Sequence, residues 1–413
     1  MRLTRRPVIA IVVFLVVAAL VVAGRQFEGR RTGHEPLSNT VSLSVTNGAD
    51  RGPGTLREAL FLAATAPGPT RIALQVPRIS LATPLPPIVN PHGVSIVTRQ
   101  GGSEIDARAL SSGPALDVAA ANVSLDGVVI RYCANTAILV RAARFSLENA
   151  TLEACDVGVD VAENAHDLLL EHNRFINDRL GVRFTAASRD TTVAANEFSG
   201  EKDAGIWAVR GETDLQPGTL SVRANRFDAD HSGMVAGNIN IIAEQNVFSG
   251  AQAAAVDLVG AGAVIRANRV SGGSGMGIIA ENVRAAVIEN NELNGLAAYG
   301  IMIRGSGNAL VRANRLYACA YGMAFVLGDT RNPSTAVDNV IIEPRYDGID
   351  VVGDAPILRR NHVLKPHAFA LRIEEFQRPD GSKVVSKPFL DDNSFGPPPA
   401  AAVAIRRGQT AHR

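Results

Sequence analysis

The sequence predicts an all-β solenoid of stacked coils, each about 23 residues long. Three observations carry that expectation. A short motif ending in Asn and an apolar residue recurs along the chain. A second motif, Gly or Ala followed by apolar–x–apolar, trails it by eight or nine residues. The chain also holds 38 Gly and a single Trp in 413 residues, which suits much turning backbone and few large aromatics.

The first motif appears as "VRANRF" at 222–227, "IRANRV" at 265–270, "IENNEL" at 288–293 and "VRANRL" at 311–316. Anchoring on an Asn followed two residues later by an apolar residue gives Asn149, Asn173, Asn196, Asn225, Asn246, Asn268, Asn291, Asn314, Asn339 and Asn361. The steps are 24, 23, 29, 21, 22, 23, 23, 25 and 22 residues, and Asp126 in "SLDGVV" extends the series backwards by 23. The second motif reads "GVDV" at 158, "GVRF" at 181, "GIWA" at 205, "AVDL" at 255, "GIIA" at 277, "GIMI" at 300, "GMAF" at 322 and "GIDV" at 348.

Both motifs alternate apolar and outward positions, which is strand periodicity, and neither is long enough for an amphipathic helix. One coil therefore holds at least two short strands and tight turns. A lone coil cannot bury its apolar positions, whereas stacked coils share one continuous core. "LSVRANRF" also fits the strand of a leucine-rich repeat. The other half of the repeat argues against that, being Gly-led and β-branched where a Leu-spaced return is needed.

The repeats resemble those of right-handed parallel β-helix proteins, the pectate-lyase-like superfamily with its periplasmic-type repeats, over roughly residues 41–375. "VTNGADRGPGTLREAL" at 45–60 resembles the opening segment of many such exported proteins. Thr55 and Glu58 read as a capping box on a short helix from Leu56 to about Ala64, placed to cover the first coil. The resemblance implies a right-handed parallel β-helix. It implies no single activity, because the superfamily hosts lyases, hydrolases, epimerases, adhesins and binding proteins.

Four segments are expected: 1–31 as cytoplasmic tip and membrane anchor, 32–66 as linker, opening strand and capping helix, 67–376 as the β-helix, and 377–413 as C-terminal cap and mobile Pro/Ala/basic tail. Arg2, Arg5 and Arg6 precede the uncharged run Val8 to Ala23, and Arg25, Arg30 and Arg31 follow it. This predicts a transmembrane helix in an inner membrane, N-terminus cytoplasmic and body periplasmic or extracellular; a cleaved signal peptide is the alternative. Net charge is +1, from 41 basic and 40 acidic residues, so no global field argues for a nucleic-acid partner. No two of the three cysteines are close in sequence, which excludes a zinc knuckle or CxxC motif. Cys133 and Cys155 lie one coil apart and read either as a disulfide or as two stacked buried thiols. Cys319 is expected buried and free.

The repeated Asn should stack as an internal ladder. Two positions before each stands an outward residue, Glu171, Ala194, Arg223, Glu244, Arg266, Glu289 and Arg312, whose alternating charges would pair between coils. The outward middle residue of the Gly-led strand gives a face for a ligand: Leu139, Asp160, Arg183, Trp207, Val235, Asp257, Ile279, Met302, Ala324, Asp350 and Arg372. The preceding corners add Asp178 and Arg179, then Glu201, Lys202 and Asp203, then Asp228, Asp230 and His231. "RGETDLQPG" at 210–218 is expected to wall this face.

Those residue types suit a polysaccharide. Trp207 would stack on a sugar ring, with Asp160, Lys202 and Asp203 as further substrate contacts. Arginine pairs bidentately with uronate carboxylates. Proton removal beside a uronate needs a base and a neutralising cation, for which His231, Arg183, Asp228 and Asp230 are the catalytic candidates. No cofactor is required, although grouped carboxylates such as Asp203, Asp228 and Asp230 are of the kind that holds Ca²⁺. Tyr299, Tyr317, Tyr321, Tyr346 and Asp347 form a second candidate cluster. The paired Asp motifs with Gly-His-Gly of polygalacturonases are absent, as is the Asp-Pro-His-Asp of mannuronan C5-epimerases. Two function classes stand: an anchored envelope protein that binds or scaffolds polysaccharide during assembly or export, and a lyase or C5-epimerase acting on a uronate-containing glycan.

Overall fold

The computed structural model describes residues 39–99, 102–185, 190–209, 218–260, 262–283, 285–378, 380–396 and the backbone of 403–406. From Val41 onward the chain winds into a parallel β-solenoid of three sheets with 15, 14 and 13 strands. Each coil gives one strand to each sheet in turn. The registers hold like positions together: Val193, Val222 and Ala243 in the first sheet, Phe198, Phe227 and Phe248 in the second, Ile206, Met234 and Val256 in the third. Val222 and Phe227, the apolar ends of "VRANRF", are both buried.

The corner between the first two sheets takes two residues. The first has a left-handed backbone, as at His172, Ala195, Ala224, Gln245, Ala267, Asn290 and Ala313 (φ 52–58°). The second is the ladder Asn, whose side chain turns inward. Each amide donates to the carboxamide oxygen of the next, from Asn173 to Asn196 (3.0 Å) through Asn246 to Asn268 (2.9 Å) to Asn339 to Asn361 (2.9 Å). The same oxygens accept the backbone N–H of the preceding Asn, so each side chain satisfies backbone that the corner would orphan.

Two members of the predicted series do not belong. Asn149 is exposed, holds the left-handed position (φ 53°) and donates to Asp126. Ala150 occupies the inward position there, its N–H donating to Asn173. Asn suits both corner positions, because its carboxamide tolerates the left-handed region as well as the ladder. Asp126 aligns with Glu148 on the outer surface instead. The ladder gains a member at the far end, Asn393, which accepts from Asn361 (3.0 Å). The outward charges pair where expected at Arg266–Glu244 and Arg312–Glu289 (both 2.5 Å).

The Gly-led strand is glycine for steric reasons. A Cβ on Gly181 would stand 2.7 Å from the Phe198 ring and 2.6 Å from the Gly205 carbonyl, and one on Gly205 would stand 2.7 Å from Phe227 and 2.9 Å from the Gly233 carbonyl. Without side chains, the third sheet closes onto a stack of Phe175, Phe198, Phe227 and Phe248, whose ring centroids are 4.6–4.7 Å apart.

One helix, α1 (Leu56–Ala64), covers the first coil with Leu56, Ala59, Leu60 and Ala63 buried. Thr55 accepts from the Glu58 N–H, and the Glu58 carboxylate accepts from Gly54 rather than from Thr55, a capping box displaced by one residue. No helix among the described residues is long and apolar enough to cross a membrane. The apolar run Val8–Ala23 lies outside them, as does most of the expected wall at 210–218. Val41–Val45 is already the first strand of the first sheet. At the other end, after a hairpin of Phe376–Gln377 with Lys383–Val384, Phe389–Asp391, Ser394–Phe395 and Val403–Arg406 continue the three sheets, so coils run on into segment 377–413.

Candidate functional site

The third sheet forms an outer face in the predicted register. Leu139, Asp160, Arg183, Trp207, Val235, Asp257, Ile279, Met302, Ala324, Asp350 and Arg372 follow one another as direct partners in successive strands. The alternation of the strand, fixed by the Gly row beneath, turns these side chains out.

At its first polar stretch the face is built from matched charges. Arg183 binds Asp160 bidentately (2.9 and 2.6 Å), and this carboxylate raises the Arg183 pKa. Arg179 bridges Asp156 (2.7 and 3.1 Å) and Asp203 (2.8 Å), holding Asp156 below the usual carboxylate range. Trp207 is half-buried rather than fully exposed. It packs, with Val235, on Val157, Leu180 and Ala204, an apolar patch on the outside of the sheet. So Asp160, Arg183 and Trp207 come together as predicted, with Asp203 attached through Arg179. Lys202 and His231 sit exposed at the adjoining corner, where the His231 N–H donates to the Glu201 carbonyl. Neither side chain has a hydrogen-bond or ion-pair partner among the described residues.

The acidic candidates are separated. Asp228 faces outward on the second sheet, in register with Ser199 and Ser249, and lies 3.6 Å from Arg226. Asp230 points into the core. The single residue between them, Ala229 with its left-handed backbone (φ 58°), puts the two carboxylates on opposite sides of the wall, so Asp203, Asp228 and Asp230 do not form the grouped carboxylates expected for Ca²⁺. Among the described residues, no set of three or more His, Cys, Asp or Glu side chains is arranged to hold a metal. Asp230 is one of three interior acids in a single column, with Asp178 and Glu201 above it. Their column also holds Cys133, Cys155, Ala251, Leu296 and Cys319, so aligning the coils at this corner reveals acids at an apolar position. Cys133 and Cys155 are buried and unbridged. The Cys155 thiol is pushed up, first by its contact with Cys133 and then by burial.

A second cluster lies farther along the same face. Tyr299, Tyr321 and Tyr346 stack with centroids 4.5 and 5.0 Å apart. The Tyr299 hydroxyl donates to Asp350 (3.0 Å), two coils on. Burial, then neighbouring Asp347, raises the Asp350 pKa to about 7. Arg372 binds Asp347 (3.0 Å) and Glu374 (2.8 and 2.6 Å). Tyr317 stands apart on the second sheet, hydrogen-bonded to Glu343 (3.0 Å).

Residues 88–227 and 215–363 match the family described as the right-handed beta helix region. Among curated proteins none matches the chain in sequence. Of solved structures, the catalytic unit of the GH87 α-1,3-glucanase from Streptomyces thermodiastaticus strain HF3-3 is similar at a TM-score of 0.56 and 15% identity, over 89% of this chain and 69% of that one. The tailspike protein of E. coli bacteriophage HK620, a double mutant, is similar at 0.51 and 12% identity, over 85% and 78%. At these identities the likeness is one of fold.

Proposed function

Because the chain belongs to the right-handed β-helix family, with its core filled from end to end, a ligand must lie on an outer face, and we propose that this protein binds a polysaccharide along the third sheet. One observation carries the reading. A single straight row of outward positions runs from the half-buried Trp207, beside the Arg183–Asp160 pair, to Asp350, which accepts from Tyr299 of the adjoining Tyr299–Tyr321–Tyr346 stack. Aromatic rings supply apolar surface to sugar faces, and rigid ion pairs supply hydrogen-bonding edges at little entropic cost. The chain is taken as anchored in a bacterial inner membrane through Val8–Ala23, holding glycan during envelope assembly or export.

Binding is favoured over cleavage by the state of the arginines. Uronate elimination or epimerisation needs an uncommitted cation at the substrate carboxylate. Arg179 and Arg183 are both engaged by aspartates. The lyase or epimerase reading rests on Lys202 and His231, exposed on neighbouring coils. Affinity electrophoresis against acidic and neutral polysaccharides tests the proposal. Trp207→Ala and Tyr321→Ala should each weaken retardation about tenfold, the loss of about 1.4 kcal/mol. Retardation unchanged in both variants would refute it. Unsaturated-uronate absorbance that disappears in His231→Ala would instead establish the enzyme.

A further inference from the structure

The column Asp178, Glu201 and Asp230 lies in the interior corner between the second and third sheets, on three successive coils, each residue at most 1% exposed. Two of its carboxylate oxygens have partners. Asp178 Oδ1 accepts from the Cys155 N–H (2.7 Å), and Asp230 Oδ1 accepts from the Glu201 N–H (3.1 Å). The remaining four, Asp178 Oδ2, both oxygens of Glu201 and Asp230 Oδ2, are buried without a hydrogen-bond partner. Asp178 Oδ2 is 3.2 Å from where a Cβ of Gly158 would stand, and the Phe175 ring lies against the same glycine.

Among the described residues, no cation balances the column from within. On the coils before it stand the thiols of Cys155 and Cys133, and on the coil after it Ala251. Glu153 bears on Asp178 and Asp228 on Asp230, both adding negative charge, while Lys202 acts on Asp178 from the exposed corner. Three bare carboxylates stacked in an apolar corner would each carry a desolvation cost of several kcal/mol on top of mutual repulsion. Either protons or a metal must fill the gap. The described residues offer no three-ligand set for a metal. A protonated carboxyl, by contrast, turns an orphaned acceptor into a donor for the carboxyl next to it.

We propose that Asp178, Glu201 and Asp230 form a proton-binding column inside the core, so that cohesion of these coils is strongest when protons fill the column and weakens as they leave. Burial pushes Asp178 up to about 7; Glu201, buried between two acids and in contact with Asp230, is raised further. The folded state thus binds more protons than the unfolded chain. The stabilisation is complete below the ordinary carboxylate pKa of about 4 and is lost as pH rises through about 7 and beyond. Carboxylates with depressed values, such as Asp50, Asp106 and Asp156, act in the opposite sense, but only below about pH 4. Asp350 acts in the same window from distant coils, so variants must isolate the column.

The experiment is thermal unfolding of the full chain between about pH 5 and 8.5, comparing wild type with Glu201→Gln, which keeps shape and a donor but cannot ionise. The wild-type Tm should fall as pH rises, and the Glu201→Gln curve should be flatter. The variant's advantage should grow by about 3 °C or more from the acid to the alkaline end. Parallel curves would overturn the proposal. So would a wild-type Tm that responds to Ca²⁺ or EDTA at fixed pH while the variant does not. If Glu201→Gln fails to fold, infrared difference spectra of the wild type decide: a protonated-carboxyl band at pH 7 that resists exchange into D₂O supports the column, and its absence overturns it.

Discussion

Asn246→Ala tests the claim that the inner ladder, rather than asparagine content, holds the corners. The Asn246 side chain is fully buried and makes four hydrogen bonds. Its oxygen accepts from the Asn225 backbone N–H (2.9 Å) and the Asn225 amide (3.1 Å). Its amide donates to the Val222 carbonyl (3.0 Å) and to Asn268 (2.9 Å). On truncation the Asn225 amide keeps its bond to Val193, and the Asn268 oxygen keeps the Asn246 N–H. The Asn225 N–H and the Val222 carbonyl lose the side-chain partner that served them at the corner. At about 1–3 kcal/mol for each buried group stripped of its partner, the cost is about 2–6 kcal/mol. Asn149→Ala is the control. That side chain is exposed and makes one bond, to Asp126 (2.8 Å), so its loss should cost at most about 1 kcal/mol, most of it from placing Ala in the left-handed backbone. Urea denaturation of both variants, with hydrogen exchange at the Asn225 amide, measures the difference. Equal costs for the two substitutions, or an unchanged Asn225 exchange rate in Asn246→Ala, would refute the ladder argument.

Gly205→Ala should destabilise by about 1–3 kcal/mol in the same denaturation assay, because its Cβ meets both the Phe227 ring and the Gly233 backbone. Gly237→Ala, whose Cβ would meet only the Val209 side chain at 3.1 Å, should cost less. Arg183→Ala strips a bidentate partner from the largely buried Asp160 and should cost about 1–3 kcal/mol, below the figure for a fully buried pair because Arg183 is a third exposed. All three cysteines are at most 4% exposed, so a thiol reagent should label none of them in the native protein and all three in denaturant. Rapid labelling before unfolding would contradict the placement of Cys133, Cys155 and Cys319.

Much of this architecture is legible in the sequence because a solenoid writes its contacts as a period. The row from Leu139 to Arg372 needed only the Gly-led motif and strand alternation. Other features are hidden because the corners have no periodicity of their own. In "FDADHSG" the chain passes from the outer surface of one sheet, through a left-handed Ala229 (φ 58°), to an inward Asp230 and an outward His231. Composition marks the whole stretch as a polar turn, since Asp is favoured there for backbone reasons. Only the column shared with Cys155 separates its wall-side residues from its core-side one. The extra residue in the corner at 201–203 blurs that column further. The state of Arg179 and Arg183 was equally hidden, because their partners stand one coil away and pairing depends on side-chain reach. Asn149 shows the limit of a motif read by residue type, since the same side chain serves two adjacent corner positions for different reasons.

The ladders make the coils interchangeable parts. Removing residues 246–267, 22 residues, would bring Asn225 onto Asn268, Phe227 onto Val270 and Met234 onto Ile278, like meeting like at every seam. The chain would close over the cut with no ladder broken, and Trp207 would stand one step, about 4.8 Å, nearer to Tyr299. The solenoid is in this sense a ruler graduated in coils. The distance between its two aromatic stations is set by a count of repeats, and it changes by whole divisions.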